Sequence, residues 1–268
     1  MSTLSVVKRL ELLRGMKRPS FRDYQPLLFN DFMEFHGDRS YGDDPAISGG
    51  IAFFEGRAVT VIAEVRGRTI EEIKTVNFSM PHPEGYRKAR RLAKQAEKFS
   101  RPVFCFIDTP GAFCGVGAEE RGQGEAIARS LVEFMSLETP VVSVILGEGG
   151  SGGALALGVA DELAMLENAL YSVISTRGFA SILWKDASRE KEAAEVMKIR
   201  AEDLKAFGIC DRIIAESKGG AHTDIKETAG NIKTCLSEAL ERLCAVDKKS
   251  LPLKRYRKYR SMGIFNNS

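Results

Sequence analysis

The chain has 268 residues, of which 44% are hydrophobic, enough for a sizeable core in one large domain or two small ones. With 28% charged residues and 25 glycines, the composition excludes a disordered, collagenous or coiled-coil chain. The formal net charge is only +3 and no run of 18 apolar residues occurs, which argues against a polyanion-binding body and a membrane span.

Residues 1–17 form a short basic amphipathic segment closed by Pro19, with no apolar secretion region, so a cytoplasmic protein is expected. Residues 22–36 carry apolar side chains at helical spacing and predict a helix, despite Pro26. Two β-rich runs, 47–54 and 58–65, flank Glu55-Gly56 and predict a hairpin. Beyond it, helix and strand alternate. Residues 84–99 predict a helix begun after Pro83, and 102–108 a strand buried on both faces. A glycine-rich loop, 109–117, leads to a helix from Ala118 to about Leu137. The unit then repeats, with strand 140–146, glycine-rich loop 147–153 and a helix from Ala154 to about Val159. Residues 162–166, 170–174 and 209–215 read as strands; 178–187, 190–198, 201–207 and 224–245 read as helices. Strand–loop–helix units in series predict an α/β protein with parallel strands. Residues 246–268 read as a basic C-terminal tail. Lys248, Lys249, Lys254, Arg255, Arg257, Lys258 and Arg260 there face only Asp247. A solvated tail or a subunit contact is expected of it rather than a nucleic-acid site.

Cys105, Cys114, Cys210, Cys235 and Cys244 form no C-x-x-C pair, and His36, His82 and His222 lie far apart, so no metal site is expected. The chemistry points instead to the two glycine-rich loops. Each follows a buried strand and opens a helix, the place where α/β sheets bind ligands. Free N–H groups from two neighbouring loops can converge on one oxygen and stabilise negative charge there. The second loop, Gly147-Glu148-Gly149-Gly150-Ser151-Gly152-Gly153, lacks the Lys-Ser/Thr of a phosphate loop. It matches G-x-S-x-G around Ser151, but no histidine is placed to serve as a base.

Residues 84–93 (EGYRKARRLA), 107–128 (IDTPGAFCGVGAEERGQGEAIA), 147–158 (GEGGSGGALALG) and 171–186 (YSVISTRGFASILWKD) resemble the carboxyltransferase α subunit of bacterial acetyl-CoA carboxylase. The resemblance runs from about Arg18 to His222 in the same order. It implies an α/β, crotonase-like (ClpP/crotonase) spiral of ββα units over residues 18–245. It also implies a biotin-dependent reaction. A carboxyl group passes from carboxybiotin, held on a separate biotin carboxyl carrier protein, to acetyl-CoA, giving malonyl-CoA for fatty acid or related biosynthesis. The expected partner is a carboxyltransferase β subunit in an α2β2 assembly that carries the zinc ribbon, with no biotin attached to this chain. Carried over by position, the oxyanion hole comprises backbone N–H groups of Gly152 and Gly153, with Gly149 and Gly150 shaping the loop. Val116 and Gly117 form its second side, and Gly111, Ala112, Gly115 and Ser151 line the cofactor. The departing biotin nitrogen takes the acetyl proton on this account, so no side-chain base is required.

The stretch Ser175-Thr176-Arg177-Gly178-Phe179 departs from the Ser-Pro-Glu-Gly pattern usual in that family, and Cys114 stands where proline is usual. These departures leave open a carboxyltransferase or decarboxylase for another acyl-CoA, or a non-catalytic paralogue that binds the β subunit. Thr176 is expected to cap the helix that follows, with Arg177 opposing its dipole. Glu195-Val196-Met197-Lys198 resembles a biotin attachment site, but Ile199 replaces the second methionine and the surroundings read as helical, so Lys198 is not expected to carry biotin.

Overall fold

The computed structural model of the chain describes residues 4–263. It opens with α1 (Val6–Arg14), α2 (Phe21–Leu28), β1 (Asn30–Glu34), β2 (Ile47–Phe54) and β3 (Arg57–Glu64). Next come α3 (Ile70–Thr75), α4 (Pro83–Lys98), β4 (Val103–Thr109), α5 (Val116–Glu120), α6 (Gln123–Ser136), β5 (Val141–Gly150) and α7 (Ser151–Gly158). The chain continues through β6 (Glu162–Leu166), β7 (Leu170–Ser172), α8 (Thr176–Trp184), α9 (Glu190–Val196) and α10 (Ala201–Ala206). It ends with β8 (Arg212–Ile214), α11 (Ile225–Cys244) and α12 (Leu251–Arg260).

Eight strands form one mixed sheet in the order β1-β2-β3-β4-β5-β6-β8, with β7 beside β5. The first three pair antiparallel and the rest parallel. From β3 onward each crossover advances the sheet by a single strand, except for β7, so the chain winds as a spiral. Helical crossovers cover the sheet, and β4 is buried at every residue. Helix α4 turns Tyr86, Ala89, Leu92, Ala93 and Ala96 inward, a stripe at spacings of three and four. Below the hairpin, Phe29, Phe54, Phe104 and Phe106 pack with ring centroids 5.2–6.1 Å apart.

Four expectations need correction. The helix expected over 22–36 ends at Leu28, and residues 30–34 instead add an edge strand to β2. Gly50 permits that pairing, because a Cβ there would collide with the Met33 carbonyl. The helix expected over 118–137 is broken at Gly122, whose φ of 80° is left-handed, into α5 and α6. The glycine-rich stretch 147–150 is not a loop, because β5 continues through it to pair with β7. The segment after Val246 is not a solvated tail: α12 packs on the body, with Arg255 only 1% exposed. Residues 264–268 of that tail and residues 1–3 lie outside the described residues.

Candidate active site

Thr109 and Gly149 stand side by side where β4 and β5 end, so both glycine-rich segments emerge on one edge of the sheet. Strand β5 turns directly into α7 at Ser151, a non-glycine residue with a φ of 51°. The N–H groups that open α7, on Ser151, Gly152 and Gly153, have no carbonyl one turn behind them, and no side chain caps them. An uncapped helix start of this kind favours a negatively charged oxygen.

The fold brings Gly111 and Ala112 of the first segment against Gly150 and Gly153 of the second. A Cβ on Gly153 would lie 2.6 Å from Ala112 N and 2.9 Å from Tyr86 Oη; one on Gly150 would run into the Pro110 carbonyl. Gly149 and Gly150 sit in the ladder of β5, paired toward Tyr171 and Ser172, so their contribution is close approach. Gly152 is looser, with Ile127 on α6 at 3.5 Å from its Cβ position. Gly115, Val116 and Gly117 lie farther along. Gly115 precedes α5, Val116 is 76% exposed, and the nearest neighbour of Gly117 is Arg121. Ser151 is exposed, and no histidine lines the crevices it borders; His82 stacks on Phe113 at 4.3 Å and His36 pairs with Asp43.

The connection 65–82, for which the sequence predicts no element, holds the first segment in place. Thr109 Oγ1 donates to Ser79 O (2.6 Å) and accepts from Gly111 N–H (3.0 Å). Phe113 N–H donates to Pro81 O, and the buried Gln123 amide donates to both Pro81 O (2.9 Å) and Phe113 O (2.8 Å). Glu119 and Glu120 are exposed on α5, whereas Arg121 turns inward to Glu84 (2.9 Å) with the Tyr41 ring 4.5 Å away. This tie leaves no local mark in the sequence, because its partners are distant along the chain.

Beneath the two segments lies a buried polar cluster. Glu64 Oε2 accepts from Asp108 N–H (3.2 Å), and Asp108 Oδ1 accepts from Glu148 N–H (3.0 Å). Glu64 Oε1, Asp108 Oδ2 and Tyr86 Oη are buried with no partner among the described residues. Burial pushes the Glu64 carboxyl well above its usual range, opposed by the hydrogen bond from Asp108 N–H. Such a group holds its proton longer folded than unfolded, so it subtracts stability progressively as pH rises above the unfolded carboxylate range. Glu64→Gln removes that titration. Its urea midpoint relative to the parent is expected to rise as pH climbs above the unfolded carboxylate range, and a flat difference would refute the assignment.

The departures near Thr176 have a local explanation. Ser175, not Thr176, caps α8 by accepting from Gly178 N–H (3.1 Å), while Thr176 Oγ1 donates to Glu190 (2.9 Å). Thr176 lines a small crevice of about 60 Å³ together with Gly149, Gly150 and Ser151. Phe179 packs edge-on against Trp184. Lys198 follows the end of α9, in no hairpin. No helix among the described residues is long and apolar enough to cross a membrane.

Comparison with known proteins fits this geometry. The family model described as acetyl co-enzyme A carboxylase carboxyltransferase-like matches residues 1–263. The chain is 57% identical over 258 residues to the acetyl-coenzyme A carboxylase carboxyl transferase subunit alpha of Clostridium acetobutylicum, covering 96% of this chain and 94% of that one. It is 53% identical to the subunits beta/alpha protein of Clostridium tetani, covering 97% of this chain and 45% of the longer one. Among solved structures, the transcarboxylase 12S hexamer core shares the fold, with a TM-score of 0.70 at 19% identity over 88% of this chain and 44% of that one. The spiral sheet is accordingly the expected crotonase-like α/β fold. With a family model matching residues 1–263 and a relative 57% identical over 96% of this chain, the chain belongs to the acetyl co-enzyme A carboxylase carboxyltransferase-like family.

Proposed function

We propose that the chain is the α subunit of a biotin-dependent acetyl-CoA carboxylase carboxyltransferase, forming malonyl-CoA in the cytoplasm for fatty acid synthesis. The observation that carries this reading is near-full-length identity of 57% to a relative bearing that subunit name. Contact between the two glycine segments at the uncapped start of α7 adds to it. Carboxybiotin, brought by a carrier protein, supplies the transferable carboxyl group.

The donor set suits an oxygen that gains negative charge. Gly152 and Gly153 present N–H groups to it, and Gly149 and Gly150 keep the crevice free of side chains. Gly111, Ala112 and Ser151 are the positions that face the cofactor on this reading, with Gly115, Val116 and Gly117 farther along the first segment. A β subunit, arranged with this chain as α2β2, supplies the main part of the acyl-CoA surface. The Clostridium tetani relative, named for both subunits in a single chain, supports such a pairing.

The test is the reverse reaction. Purified chain and a β subunit are incubated with malonyl-CoA and biocytin, and acetyl-CoA release is followed. Turnover requiring both subunits is the expected result. A stable complex silent toward malonyl-CoA but active on another acyl-CoA would change the substrate, and silence toward all would make the chain a non-catalytic partner.

A further inference from the structure

A cavity of about 320 Å³ lies beside the glycine segments, walled by the link between α1 and α2, the residues after β3, and the end of β4. Four arginines line it: Arg14, Arg18, Arg66 and Arg68. Three are committed. Arg14 donates from Nε and Nη2 to the two carboxylate oxygens of Glu148 (3.1 and 3.0 Å). Arg18 donates to Glu216 (2.5 and 2.8 Å) and to Leu146 O (2.6 Å). Arg68 pairs with Asp23.

Arg66 differs. Its one ion pair among the described residues is with Asp108, Nη1 to Oδ1 at 3.8 Å, outside hydrogen-bond reach. Asp108 is a poor neutraliser, because Oδ1 already accepts from Glu148 N–H and burial pushes its carboxyl up, with Arg66 and Arg18 opposing. The Arg66 side chain is 22% exposed and lines the cavity, so its guanidinium is open to a ligand there. Its loop is held against α3: a Cβ on Gly67 would overlap the backbone of Glu72 and Ile73. Across the cavity, Asn77, Phe78 and Ser79 all adopt left-handed φ values of 50°, 57° and 62°. That turn is fixed by Ser79 N–H to Val76 O and by Thr109 Oγ1 to Ser79 O. It sets Phe78, 56% exposed, in the cavity wall.

We propose that this cavity binds a multi-oxygen anionic group, a carboxylate or a phosphate, with Arg66 as the residue that holds it. A planar guanidinium presents paired donors that match either group. Only the source of the anion rests on the function proposed above: the carboxyl end of a malonyl group, or the phosphates of coenzyme A.

Calorimetric titration of the full chain at low salt, with sodium malonate and separately with inorganic phosphate, tests the site. Saturable binding by the parent is expected. Arg66→Ala should weaken it about tenfold or more, the worth of one charged hydrogen bond, and Arg66→Lys should recover part of the loss. Sensitivity to malonate alone assigns the carboxyl end, to phosphate alone the coenzyme phosphates, and to both a shared anion site. No saturable binding by the parent, or equal binding by Arg66→Ala, overturns the proposal. Should Arg66→Ala fail to fold, the Lys variant carries the comparison, and unweakened binding by it counts against Arg66. Binding is read without β subunit or carrier, so this result is separate from that of the turnover assay.

Discussion

Alanine at Gly150 is expected to lower carboxyl transfer by about 100-fold or more and to destabilise the fold, while alanine at Gly152, two residues away, leaves the fold intact. The difference comes from what each new methyl group meets. At Gly150 it enters the Pro110 carbonyl, a backbone group that cannot rotate aside, so the first glycine segment must move. Overpacking of that kind costs about 1–3 kcal/mol, and a shift of about 1 Å in a reacting site costs about 100-fold in rate. At Gly152 the methyl group meets Ile127 at 3.5 Å, ordinary van der Waals contact. Alanine also suits a helical position better than glycine, by about 1 kcal/mol, so Gly152→Ala is expected to hold or raise stability. Both variants retain their N–H groups, so the comparison isolates packing from donor chemistry. The check is reverse-reaction turnover beside urea unfolding. Full activity in Gly150→Ala would mean that contact between the segments does not matter to the reaction.

The sequence carried the parts of this site that are local. Buried runs at 102–108 and 140–146, each leading to clustered glycines, marked the ends of β4 and β5, but the register shift after Ile107 that sets Thr109 beside Gly149 left no mark in the sequence. What it could not carry was pairing at a distance. The helical spacing of residues 22–36 is genuine, yet the edge of β2, open above Gly50, takes residues 30–34 as a strand. The segment 65–82 shows no period because its residues serve as single anchors, such as Ser79 for Thr109 and Pro81 for Gln123. Arg66 belongs to the same class: it stands out only when its neighbours Arg14, Arg18 and Arg68 are seen to have their own acids. The run of charge near the C-terminus misled for a related reason. One buried arginine among exposed ones looks the same in a sequence.

Loss of that arginine is expected to be the most destabilising single change outside the glycine segments. Arg255 donates from Nε and Nη2 to Asp161 (3.1 and 2.7 Å), and from Nη1 to the carbonyls of Phe134, Met135 and Leu137. Those carbonyls close α6 and have no helical N–H beyond them, so the guanidinium acts as the C-terminal cap of α6 from 118–121 residues away. Asp161 Oδ2 also accepts from Val141 N–H at the start of β5, which ties α12 to the central strand. Removing one partner of a buried ion pair costs about 3–5 kcal/mol, because the other charge is left unpaired. Arg255→Met is therefore expected to lower the melting temperature by roughly 6–20 °C for a chain of this size. Asp161→Asn should cost less on top of Arg255→Met than alone, since both act on one network. The effect should reach activity as well. Tyr259 Oη on α12 donates to Gly158 O and accepts from Ala160 N–H, fixing the far end of α7, the helix whose start presents Gly152 and Gly153. Differential scanning calorimetry checks the first point, and turnover at a temperature where the variant is folded checks the second. A melting temperature unchanged by Arg255→Met would mean that α12 is held by its apolar contacts alone.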